Sequence, residues 1–474
     1  MRTRAERLRL LAEARVYAIA PAAIRAGELA DWIPRLHAAG AGIVQLRDRG
    51  IPPEQLRDAA AACAAAARAC GALLIVNDDP ALAAEVGADG VHLGQDDGAI
   101  GWARGIVGPE AIVGRTTRGG EVLAAAEAEG ADYASVSPLW ATPTKPDRAP
   151  AGLGAAIAAA RTATIPWFAL GGLDPKRARR VAAVGATRIA AVREIAEAAD
   201  PAAAVRALVA CLDTDPRVLA VAGSDSGGGA GLQADVKAIS AAGGFAMTAV
   251  TALTAQSTVG VEAVHPIPAD FVARQMRVAI DDLGVDAVKT GMLADAAVIE
   301  AVAAEIAALD PTLLVPVVVD PVLRAESGAS LLAADALRVL RERLAPLATV
   351  LTPNLFEAQA LAGAETDDAA ELARRLAAAI GTAVVVTGGH GPSSADVLCV
   401  EGDLHVIEGP RLDVAHTHGA GCTYASTLAT LLGGGLPLPE AAAQAKRTAT
   451  AAVRAGRSYG AGAGPVDVIR GARG

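Results

Sequence analysis

The sequence predicts an α/β protein: a (β/α)8 barrel followed by an open α/β sandwich. Three observations predict it. The 474 residues suit two large domains or about three average ones. Short β-type runs alternate with Ala-rich helical stretches throughout, and the pattern changes across the short polar segment 211–217, which contains Pro216. Polar residues gather where the first-half strands end, the face on which barrels carry their sites. The expected domains are 1–212 and 217–474.

In the first half, eight runs read as strands: 16–20, 43–46, 73–77, 90–93, 111–114, 133–136, 167–170 and 188–192. Eight βα units in about 210 residues are the barrel pattern, although open doubly wound sheets share the alternation. In the second half, runs at 218–222, 247–252, 287–290, 315–320, 350–352 and 383–387 read as strands. Helical segments such as 270–282 and 369–379 lie between them, which predicts a mostly parallel sheet with helices on both faces.

Composition excludes several function classes. Lys+Arg 42 against Asp+Glu 52 gives a net charge of −10, with no basic cluster, so no nucleic-acid partner is expected. Much of the 53% hydrophobic content is Ala, and no run of about 18 strongly apolar residues exists, so no membrane partner is expected. The Arg-rich start lacks the apolar region of a secretory signal. The five cysteines are odd in number and contain no CxxC pair. A reduced, cytoplasmic protein is the expectation. A homo-oligomer is compatible with the sequence.

The first-half site reads as phosphate chemistry. Two acidic sites, Asn77-Asp78-Asp79 and Gln95-Asp96-Asp97, follow the third and fourth strands, and two carboxylates with water and a diphosphate can complete an octahedral Mg2+ site. Solvated loop acids are the bland alternative. Arg47 and Arg49 suit bidentate phosphate contacts. Thr142, Thr144 and Lys145 add two hydroxyls and an ammonium in one loop, and Gly171-Gly172 exposes backbone N–H groups after the seventh strand.

These motifs resemble thiamine-phosphate synthase. They are Gln45-Leu-Arg-Asp-Arg49, Ile75-Val-Asn-Asp78, the stretch from Gly87 to Asp97, Thr142-Pro-Thr-Lys145 and Gly171-Gly-Leu173. The resemblance implies coupling of hydroxymethylpyrimidine diphosphate to thiazole phosphate with release of diphosphate. It implies Mg2+ on Asp78 and Asp97. Gln45, Arg47, Arg49, Asn77, Thr116 and Lys145 would hold the pyrimidine diphosphate. Thr142, Thr144, Gly171, Gly172, Val192 and Arg193 would hold the thiazole phosphate. The family usually has Lys at Arg49 and often Ser at Arg193. It favours Ser and His where Thr116 and Arg118 stand, and its first strand usually ends in Thr-Asp rather than Ala20-Pro21.

The second half carries two glycine loops. The first, Ala222 to Asp235, fits a loose dinucleotide fingerprint, but no acid occurs from Val236 to Val261 and no P-loop motif is present. The second, His418-Gly-Ala-Gly-Cys-Thr423, precedes an apolar helix and aims N–H groups at an anion such as a transferring phosphoryl group. A cysteine there, Cys422, is a candidate base because a helix N-terminus lowers a thiol pKa; a buried apolar residue is the alternative. Thr387-Gly-Gly-His390 is a further glycine turn, and Asn354 and Glu357 are candidates to support Mg2+–ATP through water. His416 and His418 read as local structure.

Together with Thr251 to Gln256, Val288 to Leu293, Asp320-Pro-Val322 and Leu351 to Asn354, these loops resemble the hydroxymethylpyrimidine/phosphomethylpyrimidine kinases of ribokinase-like fold, over about residues 218–465. The resemblance implies ATP-dependent phosphorylation of the alcohol and then of its monophosphate. Gln256, Asp235, Met292 and Val322 would meet the pyrimidine. Gly419, Ala420 and Gly421 would form the anion hole, and Cys422 would be the base. Asn354, Glu357, Thr387 and Gly389 would serve ATP. The family often has Thr at Ala420 and Lys at Glu326 and Thr387. The kinase product is the synthase substrate, so the combined reading is a bifunctional thiamine-biosynthesis enzyme. The alternatives are a pyrimidine or pyridoxal kinase carrying a non-catalytic ligand-binding barrel.

Overall fold

The first eight strands are short runs of aliphatic residues separated by helices, each too short to cover a sheet alone. In the computed structural model, which describes residues 2–20, 26–47, 50–144, 146–213, 215–324, 334–388 and 394–472, they close on one another. The strands are β1 (Val16–Ala20), β2 (Ala41–Leu46), β3 (Leu73–Asn77), β4 (Gly90–Leu93), β5 (Ile112–Thr117), β6 (Tyr133–Val136), β7 (Trp167–Leu170) and β8 (Ile189–Ala191). They pair in sequence order, all parallel, and β1 pairs with β8 to close the barrel. The two units of the chain are Met1–Thr214 and Asp215–Gly474.

Side chains fill the barrel. Tyr17, Ile43, Leu73, Ile75, Ile112, Tyr133 and Phe168 form its core, and Leu11 of the N-terminal helix Arg4–Glu13 packs against them. The Tyr133 ring has room because Gly114 faces it: a Cβ there would lie 2.1 Å from the ring. That helix and the residues before it are tied to the barrel through the buried Asp89 carboxylate. Arg7 meets Asp89 at 3.2 Å, and Arg2 meets the same carboxylate at 2.9 Å.

The second unit is built on β9 (Arg217–Asp225), β10 (Phe245–Ser257), β11 (Gly260–Pro266), β12 (Ala287–Thr290), β13 (Val317–Val319), β14 (Val350–Leu351), β15 (Ala383–Val386), β16 (Asp396–Val400) and β17 (Asp403–Ile407). The sheet order is β11-β10-β9-β12-β13-β14-β15-β16-β17. The central strands β10 to β15 pair in parallel, and antiparallel pairs finish both edges. Leu219, Val221 and Val288 face one core; Val218, Ala220 and Ala287 face the other. Both faces are covered, so the strands read as near-continuous apolar runs.

Three strands, β11, β16 and β17, lie outside the sequence-predicted set, and β10 extends beyond 247–252. The chain goes from β9 to β10 on one side and returns to β12 on the other. That reversal makes the strand ends around β9 a topological switch point, where ligands bind in open α/β sheets. Among the described residues, no helix is long and apolar enough to cross a membrane.

Candidate active sites

The barrel's C-terminal strand ends enclose a cavity of about 420 Å³. Gln45, Arg47, Asn77 and Thr116 line one part; Thr142, Thr144, Gly171, Gly172, Val192 and Arg193 line the rest. Arg49 and Lys145 lie outside the described residues. Asp78 stands beside the cavity, in a neighbouring pocket that shares Asn77. Its backbone is left-handed, φ +62°, which is uncommon away from glycine, and its N–H donates to the His92 carbonyl at 2.9 Å. Asp97 follows the paired strand β4, and its Oδ2 accepts the Gly94 N–H at 2.5 Å. The ends of two neighbouring strands thus carry two hard oxygen donors. That set suits a Mg2+ that keeps waters and borrows substrate phosphate oxygens. Among the described residues, no cluster of three or more His, Cys, Asp or Glu forms a complete protein cage.

Below the cavity lies a buried polar chain. Gln45 Nε2 donates to the Tyr17 hydroxyl at 2.6 Å, and the Tyr17 and Tyr133 hydroxyls are 3.1 Å apart. His92 bridges the Tyr133 hydroxyl, 3.2 Å from Nδ1, and Thr116 Oγ1, 3.0 Å from Nε2. Burial pushes both phenols above their ordinary pKa, so they remain neutral. Gln45 and Thr116 are therefore fixed from beneath. Tyr17, His92 and Tyr133 were not assigned from sequence. The available signal was a polar residue at an inward-facing position of a barrel strand.

In the second unit, the Asp225 carboxylate organises the first glycine loop. It accepts the N–H groups of Gly227 at 2.8 Å, Gly229 at 3.0 Å and Ala230 at 2.8 Å. His418 Nε2 lies 3.0 Å from it and 3.5 Å from Gln256 Nε2. Burial works to raise the Asp225 pKa, but these hydrogen bonds outweigh it and hold the carboxyl below its ordinary value. The second loop touches the first at Gly419. Its φ is +87°, and a Cβ would lie 1.9 Å from the Gly229 carbonyl oxygen, so only glycine fits. Helices Gly231–Ala241 and Ala420–Gly433 therefore begin side by side. Gln256 is held at the end of β10, its backbone N–H donating to Ser226 Oγ at 2.8 Å. Met292 follows β12 and Val322 follows β13, on the same strand-end face.

A model of the phosphomethylpyrimidine kinase family matches residues 225–467, and one of the thiamine monophosphate synthase family matches residues 16–195. The thiamine biosynthesis bifunctional protein ThiED of Geobacter sulfurreducens is 40% identical, over 93% of this chain and 92% of its own. This chain belongs to the bifunctional thiamine-biosynthesis proteins. The thiamine biosynthesis multifunctional protein ThiED of Corynebacterium efficiens is 38% identical over 90% of this chain; the chain spans 61% of that protein's length. Among solved structures, the ADP complex of Bacillus subtilis pyridoxal kinase covers 54% of this chain and 98% of its own, at 36% identity and a TM-score of 0.50. The barrel is thus the thiamine-phosphate synthase half and the sandwich the kinase half, both transferases.

The geometry bears on three expectations for the kinase half. Asp235 is fully buried and meets Lys289 at 2.7 Å and the Ser426 hydroxyl at 2.8 Å, so its carboxylate is engaged by these groups. The Cys422 thiol is not lowered: burial pushes it up to about 12, Lys289 opposes this, and Asp235 and Asp320 add to it. Asn354 and Glu357 form a capping box on helix Leu355–Ala362, each side chain accepting the other's backbone N–H at 2.9 Å. Glu357 is buried, and its carboxyl is pushed up by burial and by Asp320. Thr387 ends β15 beside this cap, its N–H donating to the Pro353 carbonyl at 2.9 Å, while Gly389 lies outside the described residues.

Proposed function

We propose that the kinase half phosphorylates hydroxymethylpyrimidine and then its monophosphate with ATP–Mg2+, and that the barrel couples the resulting diphosphate to thiazole phosphate. The observation that supports this best is the cavity on the barrel's C-terminal face. It gathers Gln45, Arg47, Asn77 and Thr116, proposed for a pyrimidine diphosphate, with the residues proposed for an azole phosphate.

In the barrel, Gln45 and Asn77 orient the aminopyrimidine end, while Arg47 and Thr116 meet the diphosphate, with Arg49 and Lys145 proposed to join them. Thr142, Thr144, Arg193, Val192 and the Gly171-Gly172 turn hold the azole phosphate, bringing its ring nitrogen to the pyrimidine methylene carbon. Preorganised positive charge favours departure of the diphosphate. A Mg2+ held by Asp78 and Asp97 supplies further charge neutralisation when bound.

In the kinase half, Gln256 hydrogen-bonds the aminopyrimidine, and Met292 and Val322 pack on the ring. Gly419 and Gly421 present N–H groups to the transferring phosphoryl group; the expected third donor, the Ala420 N–H, is instead given to the Thr417 carbonyl at 3.0 Å, closing the turn that starts the helix. Asn354, Glu357, Thr387 and Gly389 serve ATP–Mg2+. Phosphoryl transfer demands orientation of the hydroxyl more than its early ionisation. To take the hydroxyl proton, Cys422 must first give up its own; burial opposes the thiolate, while the neighbouring Lys289 favours it.

Cys422→Ala should lower ATP consumption with hydroxymethylpyrimidine at least about a hundredfold, while coupling of supplied diphosphate persists. Unchanged kinase kcat would remove Cys422 from its role. The likeness to pyridoxal kinase gives a second substrate a specific basis. A pyridoxal kcat/KM above that for hydroxymethylpyrimidine would reverse the substrate assignment.

A further inference from the structure

Arg177 stands in the first turn of helix Pro175–Ala183, where the N-cap Asp174 accepts its backbone N–H at 2.8 Å. Its side chain lines the barrel cavity and reaches two loops at once. Nη1 donates to the Gly172 carbonyl at 2.9 Å. The guanidinium carbon lies 5.3 Å from the centroid of the buried Trp140 ring, within cation–π range.

Both partners belong to the proposed azole-phosphate cradle. Gly172 sits in the glycine turn after β7, and Trp140 begins the loop that carries Thr142 and Thr144. The two loops are already in backbone contact. The Trp140 N–H donates to the Gly171 carbonyl at 3.1 Å, and the Leu139 N–H to the Leu170 carbonyl at 2.9 Å. Gly171 and Gly172 have φ of +105° and +66°, and a Cβ on Gly172 would lie 2.9 Å from Trp140 Cβ and 3.0 Å from the Ala141 carbonyl oxygen. Such a turn is free to flip unless something holds its peptide planes. A peptide's carbonyl and N–H point opposite ways. A cation fixing the Gly172 carbonyl therefore also fixes the direction of the Leu173 N–H.

We propose that Arg177 is a positioning residue of the coupling reaction: it clamps the Gly171-Gly172 turn to the Trp140 loop in the arrangement that holds the azole phosphate. The proposal rests on the synthase reading of the barrel. Only a guanidinium both stacks on the indole and donates in its own plane to the carbonyl; an ammonium meets one demand at a time.

The test uses the full chain with Arg177→Gln and Arg177→Lys. Coupling is measured by diphosphate release with Mg2+, varying thiazole phosphate at saturating pyrimidine diphosphate and then the reverse. For Arg177→Gln, KM for thiazole phosphate should rise about tenfold or more, with KM for the pyrimidine diphosphate unchanged and kcat within about threefold. Arg177→Lys should recover part of the loss. Unchanged thiazole phosphate KM, or equal rises in both KM values, would overturn the role. No diphosphate release from the unsubstituted chain would overturn the synthase reading itself, a distinct result.

Discussion

Gly419 is the residue at which the kinase half has least freedom. Any side chain there strikes the Gly229 carbonyl, and the left-handed backbone adds strain. Gly419→Ala should destabilise the kinase half by at least about 2 kcal/mol and lower kinase turnover, with coupling activity retained. Normal kinase kinetics in that variant would show that the two loops do not need their contact. Glu357 gives a pH-dependent prediction. Its buried carboxyl keeps its proton up to about 8, against an ordinary value near 4.5. The native state therefore binds more protons than the unfolded chain between those values, and stability falls as pH rises through that window. Without ATP or Mg2+, Glu357→Gln should narrow the loss of kinase-half stability between pH 5 and pH 8 by about 1 kcal/mol or more. Circular dichroism melts at the two pH values check this. Tryptophan fluorescence is the control, because all four tryptophans lie in the barrel sequence. An identical pH dependence in both proteins would refute the shift.

At the scale of elements, the N-terminal helix Arg4–Glu13 is part of the barrel rather than an appendage. Leu11→Ala should cost the barrel about 2–5 kcal/mol, read as a lower midpoint in a tryptophan-fluorescence melt; an unchanged midpoint would show that Leu11 does not seal the core. The same scale shows what was legible in the sequence. The eight barrel strands were legible because burial makes each an apolar run between helical stretches. The edge strands were not. β11 is half or fully exposed along its length, so no apolar run marks it. β16 and β17 join through Glu401-Gly402, whose φ values of +52° and +89° mark a tight hairpin turn, a signal present in the sequence but short. The family resemblance located Gln45, Thr116 and Gly419, but the tertiary contacts that define them, Tyr17 beneath Gln45 and Gly229 against Gly419, come from distant segments. Burial also decided the Cys422 thiol, a quantity that helix position alone does not give.

The whole molecule joins two consecutive reactions in one chain, each on its own unit. Asp97→Ala should abolish coupling while sparing the kinase, the reverse of Cys422→Ala; retained coupling would displace the Mg2+ assignment. The barrel is the half whose resemblance carries the departures at Arg49, Thr116, Arg118 and Arg193. The most direct measurement is therefore diphosphate release from supplied hydroxymethylpyrimidine diphosphate and thiazole phosphate, with Mg2+ and without ATP. Release matched one-for-one by thiamine phosphate is the predicted result. No release, from a preparation whose kinase half consumes ATP normally, would contradict it and leave the barrel a ligand-binding module.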